Sequence, residues 1–147
     1  MKKLFIYYSM TNNGDAVSDV FKDKGYDIRK VISKTKYSKK MFMLMMKGGY
    51  RATFNKCDEL EDFNTDVSGY DRIVIASPIW NDRLTPAINS VLKQIDLKDK
   101  DVSFVLYSGG GTANKAKEKI KELYGVDAIV LKQPKSNKEE LDKLKDF

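Results

Sequence analysis

The stretch "YDRIVIASPIWNDRLTPAINSVL", residues 70–92, changes character twice. Residues 72–77 (RIVIAS) form an almost wholly apolar, β-branched run, which reads as a strand covered on both faces. A proline, an aromatic and a polar pair then interrupt it, and residues 84–95 (LTPAINSVLKQI) take up helical spacing with Pro86 near the start. The same alternation continues outward. Further strand-like runs lie at 2–8 (KKLFIYY), 26–32 (YDIRKVI), 102–108 (VSFVLYS) and 127–132 (DAIVLK), with helical segments at 13–24, 113–124 and 137–146. Strands alternating with helices, the first, third and fourth strands being apolar throughout, predict an α/β fold: five parallel strands, doubly wound, in three layers. We expect one domain over residues 1–147, with no internal repeat or linker.

Composition removes several classes of chemistry. The chain has no histidine and one cysteine, Cys57. No Ser-His-Asp triad, Cys-His pair, histidine metal site or internal disulfide can therefore be built. No apolar run approaches the length of a membrane span, and the start "MKKLFIYYSM" turns polar too early for a signal peptide, so the expected location is cytoplasmic.

The net charge of +6 is unevenly placed. Residues 1–56 carry 13 Lys and Arg against 4 acids, residues 57–101 carry 5 against 10, and no acid lies between Lys30 and Lys56. Such a stretch suits an acidic partner at residues 30–56 or a membrane surface. Nucleic acid is not expected, because no recognition motif accompanies the charge. The same region holds "MFMLMM", residues 41–46, which reads as a short buried helix; a cap over a ligand, a docking surface or a membrane-surface contact are the alternatives.

In an open parallel sheet, ligands bind beyond the carboxyl ends of the strands. Three apolar strands run into three unusual loops there: "SMTNNG", "SPIWND" and "SGGGT". Ser9, Thr11, Asn12 and Asn13 place hydroxyl and amide donors at a helix start, where free N–H groups favour an anion; they equally suit an N-cap. With no Lys or Arg between Lys3 and Lys22, a phosphate there would be held by neutral donors. The loop is neither a Walker A motif nor a GxGxxG fingerprint. Trp80, read as an exposed loop aromatic, could stack on a flat ring or simply cover the end of the sheet. Gly109, Gly110 and Gly111 allow a backbone to approach a ligand closely, or form only a turn.

Together these loops resemble the flavodoxin family. "YYSMTNNGDA" is similar to its phosphate loop, "YDRIVIASPIWNDRLTPAINSVL" to its central strand–loop–helix, and "VSFVLYSGGGT" to its third flavin loop. The resemblance spans nearly the whole chain and implies strand order 2-1-3-4-5 and noncovalent FMN. It implies that Ser9, Thr11, Asn12, Asn13 and Gly14 hold the phosphate, that Ser77, Pro78, Ile79, Trp80 and Asn81 line the flavin, and that Ser108, Gly109, Gly110 and Gly111 edge it. Asn12 stands where the family has glycine, and Gly14 where it has a threonine hydroxyl. The basic charge also departs from the acidic electron carriers, with Arg83, Lys47 and Arg51 expected around the flavin. The implied role is electron transfer with a redox partner protein. The rivals are an FMN-dependent NAD(P)H:quinone-type reductase and a flavodoxin fold that has lost FMN to become a binding module.

Overall fold

The computed structural model describes residues 1–147. Six strands form the sheet: β1 (Lys3–Tyr7), β2 (Asp27–Lys30), β3 (Arg72–Trp80), β4 (Arg83–Leu84), β5 (Asp101–Ser108) and β6 (Ile129–Lys132). Five run parallel in the order β2-β1-β3-β5-β6, and the sixth, β4, pairs antiparallel with the end of β3. The expected count of five and an all-parallel sheet are thus corrected, while the relative positions of the five parallel strands in chain order stand. The extra strand comes from a two-residue turn, Asn81–Asp82, with φ of 49° and 65°. Two successive positive φ values in a hairpin of this length are the geometry that Asn and Asp tolerate best after glycine.

The central strands read as continuous apolar runs because both sheet faces are covered. Leu4, Ile6, Ile73, Ile75, Phe104 and Leu106 point into one core, while Phe5, Val74, Val105 and Leu131 point into the other. Helix α1 (Asn13–Asp23) covers the second face with Gly14, Val17, Ser18 and Phe21, one stripe at helical spacing. The Phe21 ring stacks on Phe5 at 4.3 Å. The opposite face carries α4 (Pro86–Gln94), opened by its N-terminal proline, and α5 (Asn114–Tyr124), ended by Gly125 at φ 70°. Asp82 of the hairpin caps α5: its Oδ2 accepts from Lys115 N–H at 3.0 Å and its carbonyl from Ala116 N–H at 3.0 Å.

Two boundaries shift for physical reasons. Strand β2, expected over 26–32, covers only Asp27–Lys30, because the Tyr26 N–H donates to Phe21 O at the end of α1 and Ile32 O accepts from Glu61 N–H in the excursion. The segment expected as a helix at 137–146 is a 3₁₀ helix, Lys138–Leu144. Its flanking bonds span three residues, as in Glu140 N–H to Asn137 O, and Leu144 alone buries its side chain fully. A run this short and charged is held by that anchor rather than by helix propensity.

Between β2 and β3 the chain makes a long excursion containing α2 (Met41–Leu44), a π-helical turn (Met45–Gly49) and α3 (Tyr50–Thr53). One buried carboxylate ties it down. Asp58, whose side chain is 0% exposed, accepts from Ser33 Oγ at 2.8 Å, Tyr37 Oη at 2.8 Å and Arg51 Nη2 at 2.9 Å. Its own amide donates to Pro86 O and its carbonyl accepts from Ser90 Oγ, so α4 joins the same knot. Burial and then the bond to Asp58 drive the Tyr37 phenol far above its ordinary range. No helix of the molecule is long and apolar enough to cross a membrane.

Removing the acceptor leaves Arg51 and Tyr37 without their partner. Asp58→Ala should cost about 3 kcal/mol in urea unfolding, the low end for a broken buried pair since Arg51 is partly exposed. Asp58→Asn, which keeps one carbonyl oxygen, should cost less. A loss below about 1 kcal/mol for the alanine variant would mean that the excursion is held elsewhere.

Candidate functional site

A cleft of about 590 Å³ opens beyond the carboxyl ends of β1, β3 and β5. Its volume lies within the roughly 300–1,000 Å³ of small-molecule and cofactor sites. Thr11 and Asn13 line it from the start of α1, Pro78, Ile79, Trp80 and Asn81 from the end of β3, and Ser108 and Gly109 from the end of β5. The structure brings these eight of the fourteen candidates together on one cleft. The other six candidates do not line it: Gly14 and Ser77 are buried behind its wall, and Ser9, Asn12, Gly110 and Gly111 lie in the loops beside it.

Ser9 is one of them. Its Oγ accepts from Gly14 N–H at 3.0 Å and so caps α1. Asn12 has φ 66° and caps nothing with its side chain. Gly14 is buried where no other residue fits: an added Cβ would sit 2.5 Å from Tyr107 Oη, 2.7 Å from Ser9 Cβ and 2.8 Å from Tyr7 Cδ2. The Tyr107 hydroxyl, donating to the Tyr8 carbonyl, thus fills the space a side chain at position 14 would need. Ser77 is fully buried against Thr85, and Gly110 and Gly111 do not line the cleft. Gly111 is at φ 79°, its N–H donating to Ser108 Oγ at 2.8 Å.

Trp80 differs from expectation. It is the last residue of β3 rather than part of a loop, and it is 5% exposed. Tyr37 and Tyr8 meet it edgewise at 4.9 and 6.0 Å, and Gly48 backs onto it, an added Cβ there falling 2.9 Å from Trp80 Cε3. The indole is a supported wall of the cleft, not an open platform. The π-turn lies directly on the ring at Gly48, where only glycine permits so close an approach; a Cβ at Gly49 would make only ordinary contacts, the nearest being Met45 Cε at 3.6 Å.

The "MFMLMM" run is helical but not buried. Its inner side is Leu44, Gly48, Gly49 and Ala52, facing inward while Met41, Phe42, Met43, Met45 and Met46 remain exposed. Of these, Met41 and Met45 reach the cleft with Leu44, so this segment forms one side of it.

The charge around the cleft is also redistributed. Arg83 does not line it; its Nη1 donates to Asn81 O at 3.0 Å, and it borders a separate shallow pocket. Arg51 is committed to Asp58, and Lys47 Nζ donates to Lys36 O. The one cation lining the cleft is Lys135, and no acid lines it. Lys135 comes from the loop after β6, with Gln133 and Ser136 beside it, and its N–H donates to Asn13 Oδ1 at 3.1 Å. Sequence reasoning missed this loop because it stands more than a hundred residues from the one it meets, and the signal that pointed to it was only a polar run, "KQPKSN", after an apolar strand. Nearby, Asp15 accepts from Tyr7 Oη at 2.6 Å and Lys30 Nζ at 2.9 Å. Burial pushes its carboxyl up, but these two bonds outweigh it and hold the group below its usual range.

No family model and no curated protein sequence matches the chain. Among solved structures, a flavoprotein of Lactobacillus acidophilus crystallised in complex with FMN superimposes with TM-score 0.72 at 20% identity, covering 94% of this chain and 97% of that one. A Bacteroides eggerthii protein classed provisionally as a flavoprotein gives 0.77 at 20% identity over 96% of each chain. Flavodoxin 1 of Bacillus cereus gives 0.51 at 14% identity, over 97% and 93%. The fold is flavodoxin-like. In a flavodoxin-like frame the three loops beyond β1, β3 and β5 converge because their strands are neighbours in the sheet.

Two outcomes follow. Gly14→Ala overpacks a site with three close neighbours and should lose about 1–3 kcal/mol of stability. Adding Tyr107→Phe removes the closest contact and should restore part of that loss; full additivity in denaturant titrations would show that the two positions do not share space. Asp15, with its carboxyl depressed in the fold, contributes stability that is present above the ordinary carboxylate range and lost as pH falls through its folded value. Asp15→Asn should therefore flatten that acid limb of stability against pH, and an unchanged limb would assign it to other groups.

Proposed function

We propose that the cleft binds FMN without a covalent bond and that the protein serves as a one-domain electron carrier. The observation that carries this reading is the donor set of the cleft. Hydroxyl and amide groups of Thr11 and Asn13 at the start of an eleven-residue helix stand together with a single cation, Lys135, and no opposing acid. That end suits a phosphomonoester. The other end, walled by Pro78, Ile79, Trp80, Leu44 and Met45, suits a flat, largely apolar ring, with Ser108, Gly109 and Gln133 offering polar atoms along an edge. The flavoprotein of Lactobacillus acidophilus, which has this fold, was crystallised with FMN.

When bound, FMN supplies the redox chemistry. The chain would bind and orient it, and its side chains need supply neither acid nor base. Burial drives the Tyr107 phenol at the cleft well above its ordinary range, reinforced by the charges near Tyr7 and Asp15, so that phenol keeps its proton. Lys135 lines the cleft and its backbone N–H donates to Asn13 Oδ1 at the proposed phosphate end, so its charge would act on binding.

Titration of the purified protein with FMN, followed by quenching of flavin fluorescence and repeated with riboflavin, tests the reading. Saturable FMN binding with much weaker riboflavin binding is expected. Lys135→Gln should weaken FMN by about 1 kcal/mol, roughly fivefold in Kd, and leave riboflavin unchanged. No binding of either flavin would overturn the proposal. Rapid NADPH oxidation by the loaded protein without a reductase would replace the carrier role with the reductase one.

A further inference from the structure

We propose that the outward face of residues 41–54 is a docking surface for an anionic lipid bilayer. Seven of the ten large apolar side chains exposed in the whole molecule fall in this segment. Phe42 is 74% exposed, Met41 69% and Met46 61%, and Met43, Met45, Tyr50 and Phe54 continue the patch. Their inward neighbours are already seated: Leu44, Gly48 and Ala52 pack beneath them, so the exposed side chains have no intramolecular place to go. A contiguous patch of this kind marks an interaction surface.

The charge around the patch selects the occupant. Lys36, Lys39, Lys40, Lys47 and Lys56 are exposed and in no ion pair, whereas Lys34 and Arg51 are matched by Glu59 and Asp58. No acid stands between Asp27 and Asp58. A second copy meeting this face with its own would oppose lysines to lysines. A nucleic acid would satisfy the lysines and leave the phenylalanine and methionines in water. A bilayer with anionic headgroups satisfies both: unbranched, flexible methionines and Phe42 enter the acyl boundary while the flanking lysines remain among the headgroups. The geometry also turns the cleft toward such a surface, because Met41 and Met45 belong to both.

Co-sedimentation of the full chain with phosphatidylcholine vesicles, with and without phosphatidylglycerol, tests this independently of FMN. Binding only to the anionic vesicles is expected. Phe42→Ser combined with Met46→Ser, neither of which lines the cleft, should weaken binding on the order of tenfold or more without changing the circular dichroism spectrum. Lys39→Gln combined with Lys40→Gln should weaken it by about fivefold for each lysine. No sedimentation with anionic vesicles, equal binding to neutral ones, or binding untouched by the Phe42 and Met46 changes would overturn the proposal. Self-association of the chain without lipid, abolished by Phe42→Ser with Met46→Ser, would assign the face to a second copy instead. FMN affinity measured on the same preparations separates failure here from failure of the flavin reading.

Discussion

The buried carboxylate of Asp58 is the constraint on which the site depends. A charge out of water is stable only when it is fully partnered, and the partners here come from the chain after β2, from the arm before α2 and from α3, while α4 holds the Asp58 backbone carbonyl through Ser90. Any arrangement that separated the first three would leave an unpaired charge in an apolar surround. The excursion is therefore fixed over the end of the sheet, although its apolar contribution to the core is small: Leu44, Ala52 and Val67 are its buried hydrophobic residues beyond Val31. Through Tyr37, which both bonds Asp58 and packs on Trp80, the same knot positions one wall of the cleft.

The opposite wall is fixed by exclusion of volume. Gly14, Ser9, Tyr7 and Tyr107 meet so closely that the start of α1 has one position relative to β1 and β5. A larger residue at 14 and a tyrosine at 107 are alternatives for the same space. At position 14, where the flavodoxin resemblance found a hydroxyl side chain missing, the space is thus filled by the Tyr107 phenol from β5, whose hydroxyl donates to the Tyr8 carbonyl. A lost side chain was legible in the sequence; its substitute, ninety-odd residues away, was not.

That contrast explains what could be read in advance. The strands were legible because burial on both faces leaves no polar position in Leu4–Tyr7 or Ile73–Ala76, a pattern local to the chain. The loops at their ends were legible because parallel strands must put those ends on one rim. The two-residue strand β4 was not, since Asn81–Asp82 is a weak turn signal beside the glycine-containing pairs that dominate such hairpins. Trp80 and the methionines were misjudged in opposite directions for one reason. Whether an apolar side chain is covered depends on which distant element lies above it. Gly48 lies above Trp80, and nothing lies above Phe42.

The helical run of residues 41–53 has two faces with different duties, and its π-turn joins them. On the inner face, Gly48 presses on Trp80; on the outer face, the side chains one or two residues earlier stand in solvent. A π-turn is a local insertion in helical geometry. Met45 in this turn lines the cleft, whereas Met46 beside it belongs to the exposed patch, so one turn contributes side chains to both surfaces while its Gly48 seats the indole.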